Sequence, residues 1–559
     1  MVKGEYFILT IQLTSHLNIF VKIFRMRFIL FLLLLSSTLS YSQVIDRYNF
    51  VQRPTETGVT IAWRTSSLSI GTIEWGTDAF NLNNTLTESG ATQKHYFDIS
   101  GLTANTKYYY RTSTDGGFIS ALDFFYTAKT DASTKMAFLH YGDCGYNSTV
   151  QNDIAALMIG DSTEFGIVTG DIDQGVGDNY DGVFFGPYAN LVKNACQFTC
   201  IGNHDTYADN AATYLDDFYL PTNNPIQSER YYSFTWGNGK FICLDANIDY
   251  SIGSDQHNWM LEELQCNDRQ WLFMFFHQPP WTNAWSADYY IPFTTYYLYQ
   301  GNEDMRTDLV PYFEQYNVDF VLNGHSHCYQ RGELNGVKYI ISGGAGASTL
   351  DFNTNSNSPN IDTEIYANQY VRFNISGDTA TYVAIDINDA VIDSVTTIKT
   401  FTPIRPEISI NNFTLESTSG NSYMWFLDGI QITGASSQTY TPTSNGTYEV
   451  ITTNQYGCTF TSDPFEYNLL NIAEVDLNNL ILYPNPCADF VQITGLFQNH
   501  YGVLEFTILD GIGKIISREK IETENNLDHT IDFSLYSDGI YSLRIVSESS
   551  MRTFKIIKQ

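Results

Sequence analysis

From residue 135 the chain repeats one pattern five times: a short apolar run that stops in a glycine or a polar cluster. Met136 to His140 runs into GDCG (142–145), Phe165 to Thr169 into GDIDQG (170–175), and Phe198 to Ile201 into GNHD (202–205). Leu272 to Phe276 runs into HQPP (277–280), and Phe320 to Leu322 into NGHSH (323–327). Apolar runs this short read as strands buried on both faces. The segments Asp153 to Met158 and Gln256 to Leu264 between them read as helix. Alternation of this kind specifies an α/β layered fold. In such a fold the loops at the ends of different strands converge, so side chains far apart in sequence build one site. The pattern therefore predicts a single cluster of Asp143, Asp171, Asn203, His204, His277, His325 and His327.

A chain of 559 residues exceeds one core, and its segments differ in character. Residues 1–43 place Arg25, Met26 and Arg27 before the apolar run Phe28 to Leu35, followed by small and polar residues from Ser36 to Ser42. This order describes a secretory signal peptide, with Met26 a candidate for the true start. The run is shorter than the ~20 residues that span a bilayer, and no stable transmembrane segment is expected anywhere in the chain. Residues 44–130 alternate apolar and polar positions in short runs, as in Val59 to Trp63 and Tyr108 to Arg111, which indicates an antiparallel β-sandwich. Residues 131–400 hold the five motifs. Residues 404–470, with Trp425 and Tyr448 on alternating strands, read as an Ig-like sandwich, and 472–559 as a second C-terminal β-sandwich.

The net charge of -32 argues against nucleic acid or anionic membrane as a partner, since both require a basic surface, and no nucleic-acid partner is expected. Eight cysteines are too few for a disulfide scaffold and form no CxxC pair. Cys144 and Cys328 each follow a proposed ligand, and two buried free thiols are expected there rather than a bridge.

Carboxylate oxygen, amide oxygen and imidazole nitrogen suit hard and borderline metal ions, and two ions held about 3.5–4 Å apart need a bridging carboxylate. The neutral Asn203 limits the negative charge on one ion and preserves its Lewis acidity. Glycines beside the ligands permit tight turns and leave room for substrate.

GDCG, the GD at 170, GNHD, a lone histidine after a strand, and GHSHCYQRG resemble, in order and spacing, the calcineurin-like metallophosphoesterases, and among them the purple acid phosphatases. VKYIISGGAGAS (337–348) resembles the strand and glycine turn that close that domain. IAWRT, IEWGT and GLTANTKYYYR resemble the fibronectin-III-like domain that precedes it in purple acid phosphatases. The resemblance, which covers about residues 48 to 400, implies an α/β metallophosphoesterase sandwich of mixed sheets flanked by helices behind an N-terminal fibronectin-III-like β-sandwich; with the two C-terminal β-sandwich domains the chain is multidomain. It further implies two metal ions, iron, zinc or manganese. Asp143 and His327 would bind the first, Asn203, His277 and His325 the second, and Asp171 would bridge them. His204 would stabilise the phosphoryl oxygens or protonate the leaving alkoxide, with Asp205 orienting it, while a metal-bound hydroxide attacks phosphorus.

One position departs from the family. Purple acid phosphatases read GDxxY, where the tyrosine binds the first metal and gives the colour; here the fifth position is Gln174. A DxH motif would put histidine at position 145, and the chain has Gly145. The first site is thus one ligand short, to be filled by Gln174 or water, and a colourless enzyme is expected. The implied function is a secreted phosphatase acting on organic phosphate monoesters. The alternatives are a phosphodiesterase or nucleotidase of the same superfamily, or a surface binding protein with an inactive phosphoesterase domain.

Leu482 to Pro486, Gly539 to Leu543 and Phe554 to Gln559 resemble the C-terminal sorting domain read by the type IX secretion machinery. That resemblance implies export through the periplasm and outer membrane to the cell surface or medium. Among the remaining residues, His140 reads as a core histidine, His257 as a surface group, and Arg306 and Arg331 as structural. Trp281, Trp285, Tyr289, Tyr290, Tyr296, Tyr297 and Tyr299 either rim a substrate pocket or pack beneath a loop.

Overall fold

The computed structural model describes residues 44–399, except 286–300, 349, 354–357 and 359, and residues 405–559, except 412, 469–476 and 548–549. The signal-peptide segment and Tyr289 to Tyr299 lie outside the described residues. The chain divides into two compact units, 1–404 and 405–559. Among the described residues no helix is long and apolar enough to cross a membrane.

Two sheets form the centre of the first unit. One orders its six strands as Gln197–Thr199, Phe165–Val168, Lys135–Tyr141, Gln369–Ser376, Thr379–Asp386 and Val391–Ile398. The other orders seven as Tyr232–Trp236, Gly239–Cys243, Trp271–Phe275, Phe320–Asn323, Val337–Ser342, Tyr329–Leu334 and Thr363–Ile365. The first three strands of the six run parallel, as do the four from Gly239–Cys243 to Val337–Ser342.

Register explains how the sheets meet. In the seven-stranded sheet Phe234 pairs with Phe241, Phe241 with Phe273, and Phe273 with Phe320, so four rings stack as a ladder on one face. The six-stranded sheet builds its own ladder from Phe165, Phe138, Phe373 and Tyr382. The ladders meet edge to face: Phe138 lies 5.4 Å from both Phe241 and Phe273, each at 89°. Edge-to-face contact puts a positive ring edge on a negative face, worth about 0.5–1.5 kcal/mol per pair beyond the buried area. A one-residue slip in any strand would turn its ring to the opposite face.

The outer face of the seven-stranded sheet, with Ile242, Leu272, Met274 and Val321, is covered by helix Asp255–Gln265 and helices Glu303–Asp308 and Val310–Gln315. His257 on the first of these is buried against Tyr312, at 4.9 Å between ring centres, not on the surface as its helix pattern suggests. The apolar face of that helix is wider than its apolar residues, because Gln256 and His257 are buried with Trp259 and Met260. Helix Thr149–Gly160 starts where Ser148 caps it, its hydroxyl accepting the Gln151 amide at 3.1 Å.

Residues 45–126 form two antiparallel sheets of three and four strands, whose inner residues include Ile61, Trp63, Ile73, Tyr110 and Phe125. They are tied to the helical segments Asp181–Phe185 and Ala212–Asp217 of the five-motif region by the buried Arg47. Its guanidinium bonds Asp181 at 2.5 Å and Asp217 at 2.7 Å, and lies 3.8 Å from the Phe185 ring.

The second unit is all β. Residues 408–467 form a three-stranded and a five-stranded sheet around the buried Trp425, Tyr448 and Val450. Strands Ile481–Tyr483, Phe490–Leu509, Ile515–Asp532, Gly539–Val546 and Met551–Lys558 pair into one sheet enclosing Val491, Leu504, Phe506, Leu543 and Ile545.

Candidate metal centre

The parallel strands of both sheets end at one edge, where the structure gathers Asp143, Asp171, Asn203, His204, His277, His325 and His327. Three of these residues adopt left-handed backbone conformations, with φ of 54° at Asp143, 50° at Asp171 and 69° at His325. Such conformations cost on the order of 1–3 kcal/mol each, and they concentrate at functional sites where the surroundings hold them in place. Here the surroundings are the carboxylates themselves. Asp143 Oδ2 accepts the His325 amide at 2.8 Å, and Asp171 Oδ1 accepts the His204 amide at 2.9 Å. Asp143 thereby ties the first loop to the last, and Asp171 ties the second to the third.

His277 is the centre of one half. Its Nδ1–H donates to the Thr169 carbonyl at 2.7 Å, which turns Nε2 inward. Around Nε2 lie Asn203 Oδ1 at 3.1 Å, His325 Nδ1 at 3.1 Å and Asp171 Oδ2 at 3.3 Å. The ligand atoms of Asp171, His277 and His325 lie within 4.8 Å of one another. Asn203 presents its oxygen because its Nδ2 donates to the Tyr207 hydroxyl at 2.8 Å.

The other half is looser. His327 Nε2 is 3.5 Å from Asp143 Oδ1, and the His327 amide donates to the buried Asp351 at 2.8 Å. Gln174 reaches between the halves, its Nε2 3.4 Å from Asp143 Oδ1 and 3.3 Å from Asp171 Oδ2. Glycine is required at two close approaches. A Cβ at Gly202 would lie 2.1 Å from the Asp171 amide, and one at Gly145 would lie 1.9 Å from the Ile172 carbonyl. No side chain fits at position 145, so the ligand that a DxH motif would place there is sterically excluded.

Burial alone would depress His277, but the Asp171 carboxylate outweighs it and lifts the imidazole to about 9. Burial is likewise overcome at His327, where Asp143 raises it to about 9. His325 is driven well below its ordinary value by burial and by the neighbouring His277. Burial raises Asp143, whereas Asp171 is held low against its burial by His277 and the other histidines around it. A carboxylate-rich, desolvated cluster that retains protons on imidazoles suits cations, because divalent ions can replace those protons. The donor set of two carboxylates, one amide and three imidazoles fits two ions of iron, zinc or manganese type.

Asp205 does not orient His204, contrary to the expectation from sequence. Its Oδ2 accepts the amides of Gly202 at 2.8 Å and Ile172 at 3.3 Å, and its Oδ1 accepts the Asp173 amide at 3.1 Å and the Tyr180 hydroxyl at 3.2 Å. Burial, then repulsion from Asp171, raises it to about 7. It clamps the GDIDQG loop to the GNHD loop. His204 instead sets its Nδ1 3.2 Å from the Gly175 carbonyl, which leaves Nε2 free, with Tyr207 against its ring at 4.7 Å.

Elsewhere, Cys144 and Cys328 are buried free thiols. His140 is buried and sits 3.2 Å from the Asn323 carbonyl, and burial lowers it to about 3. Arg331 pairs with Asp393 at 2.6 Å, Arg306 donates to the Pro280 carbonyl at 2.7 Å, and Trp281 packs on Tyr339 at 4.8 Å. Sequence reasoning missed Tyr146, Tyr207 and Asp351. The first two stand three residues beyond Asp143 and His204, where the motif's own loop was the available signal; Asp351 had none.

With this geometry in place, comparison with known proteins is decisive for the central segment: residues 136–329 match the model of the calcineurin-like phosphoesterases. This segment is a calcineurin-like phosphoesterase domain. Residues 481–559 match the secretion system C-terminal sorting domain. Purple acid phosphatase 23 of Arabidopsis thaliana is 28% identical to the chain over 278 residues, covering 42% of this chain and 57% of that one. Purple acid phosphatase 15 of the same plant is 27% identical over 297 residues, covering 45% and 53%. The chain thus spans about half the length of the curated relatives it matches. A purple acid phosphatase from yellow lupin (Lupinus luteus) seeds shares the fold at 18% identity and a TM-score of 0.54, covering 64% of this chain and 74% of that one. The phosphoesterase domain therefore holds all five strand-end motifs between its first and last matched residues.

Proposed function

We propose that the chain is an exported phosphatase that hydrolyses phosphate monoesters at a pair of metal ions. The observation that carries this reading is the position of Asp171. Its Oδ2 faces His277 Nε2 at 3.3 Å on one side and Gln174 Nε2 at 3.3 Å on the other, where Gln174 also meets Asp143. A carboxylate so placed serves both halves of the cluster. Asp143 and His327 would hold one ion, Asn203, His277 and His325 the other. When bound, the ions supply charge to the phosphoryl oxygens and lower the pKa of coordinated water toward about 7.

The chain's own residues do the rest. Asn203 is turned oxygen-inward by Tyr207, and His277 is fixed in one tautomer by Thr169. His204, with Nδ1 toward the Gly175 carbonyl, keeps Nε2 available to protonate the leaving oxygen. The exposed Tyr207 stands beside it, placed to line the path of a leaving group. Similarity to the plant purple acid phosphatases supports a phosphatase, and the sorting domain supports export by a type IX route.

The test is an assay of the purified chain, loaded separately with iron, zinc and manganese, on a phosphate monoester and a diester. Wild type is expected to favour the monoester and Asn203→Ala to lose most of the rate. Equal rates for the two proteins would sink the enzyme reading, and a preference for the diester would shift it to a phosphodiesterase.

A further inference from the structure

We infer that Tyr146 supplies the oxygen ligand of the first ion that Gln174 does not, an inference that rests on the two-ion reading above. The Tyr146 hydroxyl lies 3.5 Å from His327 Nε2, its ring edge-on to the imidazole at 85°. Tyr146 is half-buried, and the same His327 Nε2 stands 3.5 Å from Asp143 Oδ1. The Tyr146 oxygen is therefore directed into the same space as the inward atoms of the first pair.

The backbone accounts for this placement. The Gln174 amide donates to the Gly145 carbonyl at 3.1 Å, so the residue that lacks a phenol is joined directly to the residue before Tyr146. Gly145 is pressed against the Ile172 carbonyl, and the Tyr146 amide returns to the Cys144 carbonyl at 3.0 Å. The loop is held tight against the GDIDQG turn, and a side chain leaving it at position 146 enters the space that position 174 also reaches. Gln174 meanwhile directs its nitrogen at both carboxylates. In this orientation Gln174 offers the carboxylates its N–H rather than its amide oxygen, and the phenol oxygen is the donor beside His327.

Ligation forms a bond from the phenol oxygen to the ion and releases its proton to solvent, with no change of oxidation state. An anionic hard oxygen favours iron(III) at the first position. The expectation of a colourless protein, drawn from Gln174 alone, is thereby reversed: the iron-loaded chain absorbs visible light by phenolate-to-iron charge transfer.

The full chain is loaded with iron(III) and zinc, its ion content measured by elemental analysis and its visible and resonance Raman spectra recorded. Wild type is expected to hold two ions and to show the band with enhanced tyrosine ring modes. Tyr146→Phe, which removes one oxygen, is expected to lose the band and to bind its iron about 10–100-fold more weakly. Gln174→Ala is expected to keep the band, and Gln174→Tyr in the Tyr146→Phe background to restore it. A band unchanged in Tyr146→Phe, or absent from wild type holding both ions, overturns the inference and leaves the two-ion reading standing. A wild type that binds no pair of ions overturns both. Should Tyr146→Phe not fold, loss of the band in Gln174→Ala overturns the inference and its retention supports it.

Discussion

The two halves of the site are built from the same kind of strand-end loop, yet they differ in how firmly their ligands are held. Around His277 Nε2, three partner atoms lie within 3.3 Å, and Asn203, His277 and Asp171 are each fixed by a further bond to Tyr207, Thr169 or the His204 amide. Around His327 Nε2 the nearest described partners, Asp143 and Tyr146, both stand at 3.5 Å, and Gln174 spans the gap. Preorganisation in the first case favours tight retention of an ion. The second case leaves the choice of ion to side chains that can still adjust. Under the two-ion reading, the His277 half sets geometry and the His327 half sets metal identity.

The largest effect expected is at the residue common to both halves. Asp171→Asn keeps the volume but removes the bridging charge, and should release both ions and lower phosphatase activity by about 10³-fold or more. Ion content by elemental analysis checks this, and retention of both ions would break the division into two halves. Next, His204→Ala should reduce kcat by on the order of 10²-fold with an alkyl phosphate and far less with a good aryl leaving group. Asp205→Asn should behave differently. It replaces one of the two acceptor oxygens that face buried N–H and O–H groups with an NH2 donor, and should destabilise the fold by about 1–3 kcal/mol in denaturant unfolding without the leaving-group dependence of His204→Ala. A smaller effect belongs to Tyr207→Phe, which frees the Asn203 amide to rotate. It should weaken the ion of the His277 half by about tenfold while leaving the other half's affinity unchanged.

The difference between the halves also marks what could be read from the chain before its structure. The five runs between Met136 and Leu322 form strands, and helices Thr149–Gly160 and Asp255–Gln265 enclose the two segments read as helical, because apolar runs and glycine stops are local signals. The gathering of Asp143, Asp171, Asn203, His277, His325 and His327 was legible for a related reason: each lies within four residues of a strand's end. What failed depends on distant backbone. Asp205 was expected to serve His204, its neighbour in sequence, but spends its carboxylate on amides 32 and 33 residues away. His257 looked exposed because nothing in its helix announced Tyr312. Tyr146 carries no signal in the GDxxY pattern, which points to position 174; the Gln174 to Gly145 hydrogen bond and the close approach of Gly145 to Ile172 are what place the two loops in one space.

The smallest expected effect concerns protons, and it tests whether the cluster is a cation site at all. In the ion-free protein His277 and His327 titrate near 9, above the ordinary histidine value near 6.5, and Asp205 near 7, above the ordinary 3.8. A group whose pKa is raised by folding stabilises the fold fully below its unfolded value, and that contribution is lost as pH rises through the folded value. For Asp205 the loss runs from 3.8 to about 7, and for the histidines from 6.5 to about 9. All three act in the same direction, since each binds more of its proton in the folded state than in the unfolded chain across its own window, and the opposing contributions of the depressed His140 and His325 are complete once pH has passed the ordinary histidine value. Chelated protein should therefore melt at lower temperature as pH rises from 6.5 to 9, by on the order of a few degrees. Added zinc or manganese should cancel the decline, because the ions displace the imidazole protons and their own affinity rises with pH. Thermal unfolding followed by near-ultraviolet circular dichroism, with and without chelator, measures both trends. A chelated protein whose melting temperature rises over that window would mean that His277 and His327 are not held as imidazolium by Asp171 and Asp143. The electrostatic case for paired ions in both halves would then be lost.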